Sequence, residues 1–213
     1  MLAVRIQGMD FVQAVALGLL QGVAEWLPVS SQGQVLAAGM ALFGIPAEQA
    51  FSYSVFLHAG TLVAAAVYFR KELKELAGAA WGTAAHKKGG GRPPAGQKGR
   101  RALFRFLAIA FFATAVTALP AFLFVKSFFT DPAGLLALIG VLLLVTGVLQ
   151  SMKKMKRRAV LSDRNALFLG LGQGFAVLPG ISRSGTTTSV LLFEGFAPER
   201  AFRLSFLLSV PSV

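Results

Sequence analysis

Apolar residues in this chain come in blocks separated by short polar breaks. The blocks fall roughly at residues 11–28, 34–44, 52–69, 103–125, 134–150, 165–178, 186–196 and 201–213, and they predict an all-α chain. A helix needs about 20 residues to cross a hydrocarbon core ~30 Å thick. Blocks 52–69, 103–125 and 134–150 meet that length. Blocks 34–44 and 186–196 do not, because at ~1.5 Å per residue they reach about half way. Each short block follows a longer one across a Pro/Ser/Gly break. The expected architecture is therefore a membrane domain with two re-entrant helical hairpins. Irregular backbone at that depth is tolerated only where protein or a polar cavity covers it.

Composition supports the membrane reading. Of 213 residues, 55% are hydrophobic and 14% are charged, whereas soluble domains carry about 25% charged residues. The absence of cysteine excludes disulfide frameworks and thiolate metal sites. The formal net charge of +12 would suggest nucleic acid in a soluble protein. Here the basic residues are localised. Ten Lys/Arg and two acids lie between Arg70 and Arg105, around a Gly/Pro-rich basic loop at 86–101, and six Lys/Arg lie from Lys153 to Arg164. The positive-inside rule makes both stretches cytoplasmic. The charge is thus a topology signal with some attraction to anionic lipid, and nucleic acid is not an expected partner. Counting crossings from these loops, the hairpin 11–44 opens to the outside and the hairpin 165–196 to the cytoplasm.

The two hairpins also share a pattern. "GLLQGVAEWLPVSSQG" (18–33) and "GLGQGFAVLPGISRSG" (170–185) have in common GLxQGxA, Leu-Pro and a hydroxyl- and Gly-rich break. With opposite orientations this predicts an inverted-topology repeat, an architecture that places broken-helix sites near the bilayer midplane. The first repeat runs from about 11 to 151, the second from about 165 to 213. By symmetry the second lacks two crossings, roughly 50–60 residues at about 20 per crossing plus connections. The sequence is therefore expected to be incomplete, to be completed by a partner, or to carry a degenerate repeat.

An ionisable residue within a membrane segment is a functional candidate by default. Glu25 lies one turn before Pro28, with Gln21 four residues earlier on the same helical face. It reads as a metal ligand or general base, against a structural capping role. "PGISRSGTTTS" (179–189) reads as a phosphate cradle. A helix start supplies unpaired amides. Ser182, Ser184, Thr186 and Thr187 supply hydroxyls, with Gly185 among them, and Arg183 supplies a planar fork for phosphate oxygens. "PVSSQGQ" (28–34), with Ser30, Ser31 and Gln34, forms the matching half. His58 lies in the next crossing, where a satisfied hydrogen-bonding role competes with a catalytic one. His86 and Glu194 are not assigned to the site. Carboxylates bind hard divalent ions such as Mg²⁺ or Ca²⁺, and the lipid setting makes a lipid phosphate ester the expected substrate.

At this point the motifs resemble a known family. "QGVAEWLPVSSQGQ" with "PGISRSGTT", extended by "FSYSVFLHAGTLVAAAVYFRKEL" (51–73) and "RAFRLSFLLSVP" (200–211), is similar to the undecaprenyl-diphosphate phosphatases, the bacitracin-resistance family. The resemblance implies two re-entrant hairpins and removal of the terminal phosphate of an isoprenyl diphosphate, which recycles a carrier for cell-envelope glycans. It implies that Gln21 and Glu25 form the acidic pair tied to the metal and catalysis. It also implies that Ser31 is a candidate nucleophile and that Arg183, flanked by Ser182 and Ser184, holds the diphosphate. Two departures stand out. Gln34 occupies a position that is commonly His, so His58 is expected to supply any imidazole, and the carrier is left open between undecaprenyl and dolichyl types. The chain also stops roughly 50–60 residues short of the usual length. The expected partners are the polyprenyl diphosphate and membrane lipid, with homodimerisation left open. The alternative function is a polyprenyl-phosphate flippase or other inverted-repeat transporter. A non-catalytic scaffold leaves Glu25 and Arg183 without a reason.

Overall fold

Asp10 opens the first helix. Its carboxylate accepts from the Gln13 N–H at 2.8 Å, while the Gln13 side chain accepts from the Asp10 N–H at 3.2 Å, a reciprocal cap that fixes where the helix begins. The computed structural model describes residues 9–86, 97–151 and 159–212. Within them it is helical, with no strand. Helix α1 (Phe11–Ala24) runs into the Glu25–Ser30 break. There Pro28 lacks an N–H and disfavours helical backbone in the residue before it. Helix α2 (Ser31–Phe43) ends at Gly44, whose φ of 64° is the left-handed stop that glycine adopts without strain.

Helix α3 (Ala47–Tyr68) leads directly into α4 (Arg70–His86), and α5 spans Gln97–Lys126. The basic connection expected from Arg70 onward is thus largely helical. "RKELKELAGAA" is built from strong helix formers, and their propensity outweighs the charge density. Of the Gly/Pro-rich stretch at 86–101, residues 97–101 belong to α5, and 87–96 lie outside the described residues. The same holds for Lys153–Arg158 of the second basic stretch. Helix α6 (Pro132–Ser151) is followed by α7 (Asp163–Gly174), a 3-10 turn (Phe175–Val177), α8 (Arg183–Phe193) and α9 (Pro198–Ser212).

Among the described residues, three helices are long and apolar enough to cross a membrane: Ala47–Tyr68, Lys98–Lys126 and Pro132–Ser151. Helices α1, α2, α7 and α8 have 14, 13, 12 and 11 residues. At ~1.5 Å per residue none reaches the full ~30 Å. Large apolar side chains such as Phe11, Phe56, Phe112 and Leu144 point outward, a surface suited to hydrocarbon.

Two apolar cores divide the interior. One joins α5, α7, α8 and α9 through Phe106, Leu169, Leu191 and Leu208. The other joins α1, α2, α3 and α6 through Leu17, Leu36, Ala50 and Ile139, and it receives Leu178 and Ile181 from the second break. Helix α7 lies directly against α5. A Cβ at Gly170 would run into the Ala110 carbonyl, and one at Gly174 into Thr117. Thr117 Oγ1 donates to the Leu171 carbonyl at 2.8 Å across this contact. The two breaks touch one another, with Ser30 against Gly180.

Candidate active site

Both short second legs start in the same way. Ser30 caps α2 by accepting from the Gly33 N–H at 3.4 Å, and Ser182 caps α8 by accepting from the Gly185 N–H at 3.1 Å. Each cap leaves the first turn of its helix facing one shared cavity of about 290 Å³. Ser30, Ser31 and Gln32 line it from α2, and Ser182, Arg183 and Ser184 from α8. Two helix starts thus bring their positive dipole ends to one space, a setting that favours an anion.

The tips are interlocked. Ser30 has a φ of 56°, a left-handed conformation that is uncommon without a glycine. In it Ser30 Oγ also accepts the Gly180 N–H of the opposite tip at 3.0 Å. Ser184 Oγ donates back to the Leu27 carbonyl at 3.1 Å. A Cβ on Gly33 would stand 2.8 Å from the Gly180 nitrogen, so the close approach needs glycine there. Gly180 itself has a φ of 112°.

Glu25 is the hub. It is 8% exposed. One carboxylate oxygen pairs with a terminal nitrogen of Arg183. The other accepts from Ser31 Oγ at 2.6 Å and from Gln21 Nε2 at 3.0 Å. His58 completes the group, with Nε2 3.4 Å from the same oxygen. His58 Nδ1 sits 2.6 Å from the Ser54 carbonyl. That oxygen can only accept, so Nδ1 carries a proton and Nε2 faces Glu25. A hydrogen bond between them needs a proton on His58 Nε2 or on the Glu25 carboxyl.

Arg183 is only half satisfied. Its second terminal nitrogen is buried and has no hydrogen-bond partner among the described residues. An orphaned guanidinium donor is expensive without a partner, and Arg183 lines the cavity. Its planar fork can pair with Glu25 on one side and with a phosphoryl oxygen on the other.

Glu25, Ser30, Ser31, His58, Ser182, Arg183 and Ser184 therefore line one cavity, and Gln21 joins them through Glu25. Gln34, Gly185, Thr186 and Thr187 do not line the cavity. The Gln34 amide donates to the Val29 carbonyl at 3.5 Å. The Gly185 N–H is taken by Ser182, and the Thr187 hydroxyl donates to the Arg183 carbonyl at 2.8 Å. The Thr186 hydroxyl is buried without a partner among the described residues. The 3.6-residue turn puts only the first positions of each helix at the cavity.

Sequence reasoning missed a second polar group in the same cavity. Gln173 Nε2 donates to Thr114 Oγ1 at 2.9 Å and to Ser212 Oγ at 3.0 Å, and all three residues line the space. Gln173 Oε1 is buried without a partner among the described residues. The signal was present, since Gln173 matches Gln21 in the shared GLxQGxA pattern.

The sequence has many relatives among known proteins. Residues 14–213 match the family described as "Bacitracin resistance protein BacA". A protein named undecaprenyl-diphosphatase from Haloarcula marismortui is 41% identical over 204 residues, covering 93% of this chain and 72% of its own length. Proteins of the same name from Methanothrix thermoacetophila and Syntrophotalea carbinolica are 36% and 40% identical. Each match covers 96% of this chain, and 73% and 74% of the respective relative. With the match spanning nearly the whole sequence and both break motifs, this chain belongs to the bacitracin resistance protein BacA family.

Proposed function

We propose that the protein hydrolyses a polyprenyl diphosphate, undecaprenyl diphosphate or a related isoprenyl carrier, to the monophosphate and inorganic phosphate. The names of its relatives support the reaction. The observation that carries it in this chain is the buried, half-paired Arg183 beside a Ser31–Glu25 hydrogen bond, at the start of two helices. That arrangement offers an anion site, a nucleophile and a base within one small space.

The chemistry follows from these contacts. Arg183 and the two helix starts hold the terminal phosphoryl group and take up its developing charge. Ser31 Oγ attacks phosphorus while its proton passes to Glu25. The bond to the bridging oxygen breaks, and the polyprenyl monophosphate leaves. Water then attacks the phosphoserine and the Ser31 oxygen leaves. Glu25 returns its proton to Ser31, and His58 Nε2 takes the proton lost by water. His58 would thus supply the imidazole that Gln34 cannot.

A divalent cation, Mg²⁺ or Ca²⁺, fits in one respect. Gln21 Oε1 is a buried oxygen without a partner among the described residues, beside the Glu25 carboxylate. Among the described residues no group of three or more His, Cys, Asp and Glu could hold an ion alone. Glu25 and Gln21 would therefore hold an ion that keeps most of its other oxygen ligands from water and substrate. When bound, it would neutralise charge on the diphosphate.

We further propose that α1–α2 and α7–α8 are re-entrant hairpins of an inverted repeat, the first opening outward, with the basic stretches in the cytoplasm. Their sub-bilayer lengths, similar sequences and shared cavity support this. No feature of the site favours a flippase.

The test is phosphate release from C55 isoprenyl diphosphate by purified protein, with and without chelator, beside Glu25→Gln, Ser31→Ala, Arg183→Ala and His58→Ala. Release that persists in the first three variants, or is absent from the parent while lipid translocation is intact, would overturn the reading. If His58→Ala leaves turnover and its pH profile unchanged, His58 has no part in it.

A further inference from the structure

Helix α6 is apolar along its length except for Thr146, Gln150 and the terminal Ser151. Thr146 and Gln150 are one turn apart, on one face with Ile139 and Leu142. That face is where both breaks rest. Gly180 lies on it so closely that a Cβ there would stand 2.7 Å from the Ile139 carbonyl and the Leu142 side chain. Thr146, 2% exposed, donates through Oγ1 to the Gly180 carbonyl at 2.9 Å and accepts the Ser182 N–H at 3.1 Å. Its hydroxyl thus closes the turn immediately before Arg183. Gln150 Nε2 donates to the Pro28 carbonyl at 2.6 Å. Pro28 lies midway between Glu25 and Ser31.

We infer that Thr146 and Gln150 are positioning residues that set Arg183 at its working distance from Glu25 and Ser31. The two tips lie more than 140 residues apart in sequence, and the cavity between them must be held against the tendency of a proline break to flex. One rigid helix grips the second tip at Thr146 and the first at Gln150, ~6 Å further along its axis. Burying a hydroxyl in an apolar helix is unfavourable unless it is bonded, and Thr146 is bonded in both directions. Both residues act through backbone groups, so the clamp does not depend on which side chains the tips carry.

This inference rests on the phosphatase reading, and the experiment separates the two. Thr146→Val keeps the shape and removes both hydrogen bonds. With C55 isoprenyl diphosphate, kcat is expected to fall 10- to 100-fold, the scale of a small misplacement of reacting groups, while Thr146→Ser restores it to within a few fold. In an Arg183→Ala background, Thr146→Val is expected to add nothing, because the residue it positions is gone. A role in stability alone would lower the melting temperature and leave kcat per folded molecule unchanged in the parent background. Turnover by Thr146→Val within about twofold of the parent, or full additivity, overturns the clamp and leaves the phosphatase reading standing. Should Thr146→Val not fold, Gln150→Met, at an exposed position, decides: unchanged kcat overturns the proposal. If the parent releases no phosphate, the phosphatase reading fails. Calorimetric binding of farnesyl diphosphate then decides the clamp, with a tenfold weaker Kd in Thr146→Val supporting it and an unchanged Kd overturning it.

Discussion

The two breaks share a framework and differ in chemistry. Each has a glutamine on the first leg, a Leu-Pro stop, a serine cap and a glycine at the third position of the second helix. Each glutamine, Gln21 and Gln173, is buried with an amide oxygen that has no partner among the described residues. Four residues after Gln21 stands Glu25, whereas four after Gln173 stands Val177. The first residue of α2 is Ser31, whereas the first residue of α8 is Arg183. The framework is shared, and the reactive groups differ. One half holds the acid and the hydroxyl, the other the cation. A buried acid and a buried arginine each stabilise the other, and removing one leaves an uncompensated charge. Neither half is a site without its partner.

The largest expected effect comes from removing the acid from the half that has it. Glu25→Gln keeps an acceptor for Ser31 but no base, so phosphate release should fall about 100- to 10,000-fold, while Val177→Ala should change it no more than severalfold. Comparable losses from both would mean that the breaks contribute alike. Next is the contact between the tips. Gly33→Ala places a methyl against the Gly180 backbone, and the strain should cost about 1–3 kcal/mol and lower kcat about tenfold or more. An unchanged melting temperature in detergent would show that the tips do not meet this closely.

The two caps give a finer comparison. Ser182→Ala loses a cap worth about 1 kcal/mol. Ser30→Ala loses its cap and also the Gly180 N–H bond, about 1 kcal/mol more, so its melting temperature should fall further. Equal shifts would remove the inter-tip role of Ser30. The smallest effect lies at the end of α8. Burial raises the Glu194 carboxyl from its ordinary 4.5 to about 7, with Arg164 pulling the other way. The folded protein then holds more protons than the unfolded chain between those values, so stability falls as pH rises through that window. Melting should occur at lower temperature at pH 8 than at pH 5, and Glu194→Gln should reduce the difference. Identical slopes would show that Glu194 does not titrate there.

The motifs made much of this site legible. Buried charge is rare in apolar sequence, so Glu25 and Arg183 stood out, and the Ser/Gly breaks beside them marked where helices start. His58 was harder, because a lone histidine on a helix has no local signature, and only the packing of α3 sets it against Glu25. Gln34, Gly185, Thr186 and Thr187 were placed in the cradle by proximity in sequence. The helical turn carries the Gln34, Thr186 and Thr187 side chains away from the cavity, and the Gly185 N–H is taken by the Ser182 cap. Thr146 and Gln150 escaped notice because they bond to backbone, and a backbone carbonyl leaves no mark on the sequence of its partner.

The sequence by itself determined most of the helices, the breaks between them and the short list of reactive groups. Each follows from local rules: apolar block length, proline and glycine stereochemistry, and the cost of charge in a hydrocarbon. Only the tertiary structure decided that the two tips touch, that Glu25 gathers Ser31, Gln21, His58 and Arg183 around one carboxylate, and that α6 underlies both. Those facts depend on packing between segments up to 158 residues apart, where steric fit and hydrogen-bond partnership are properties of pairs and cannot be read from either member alone.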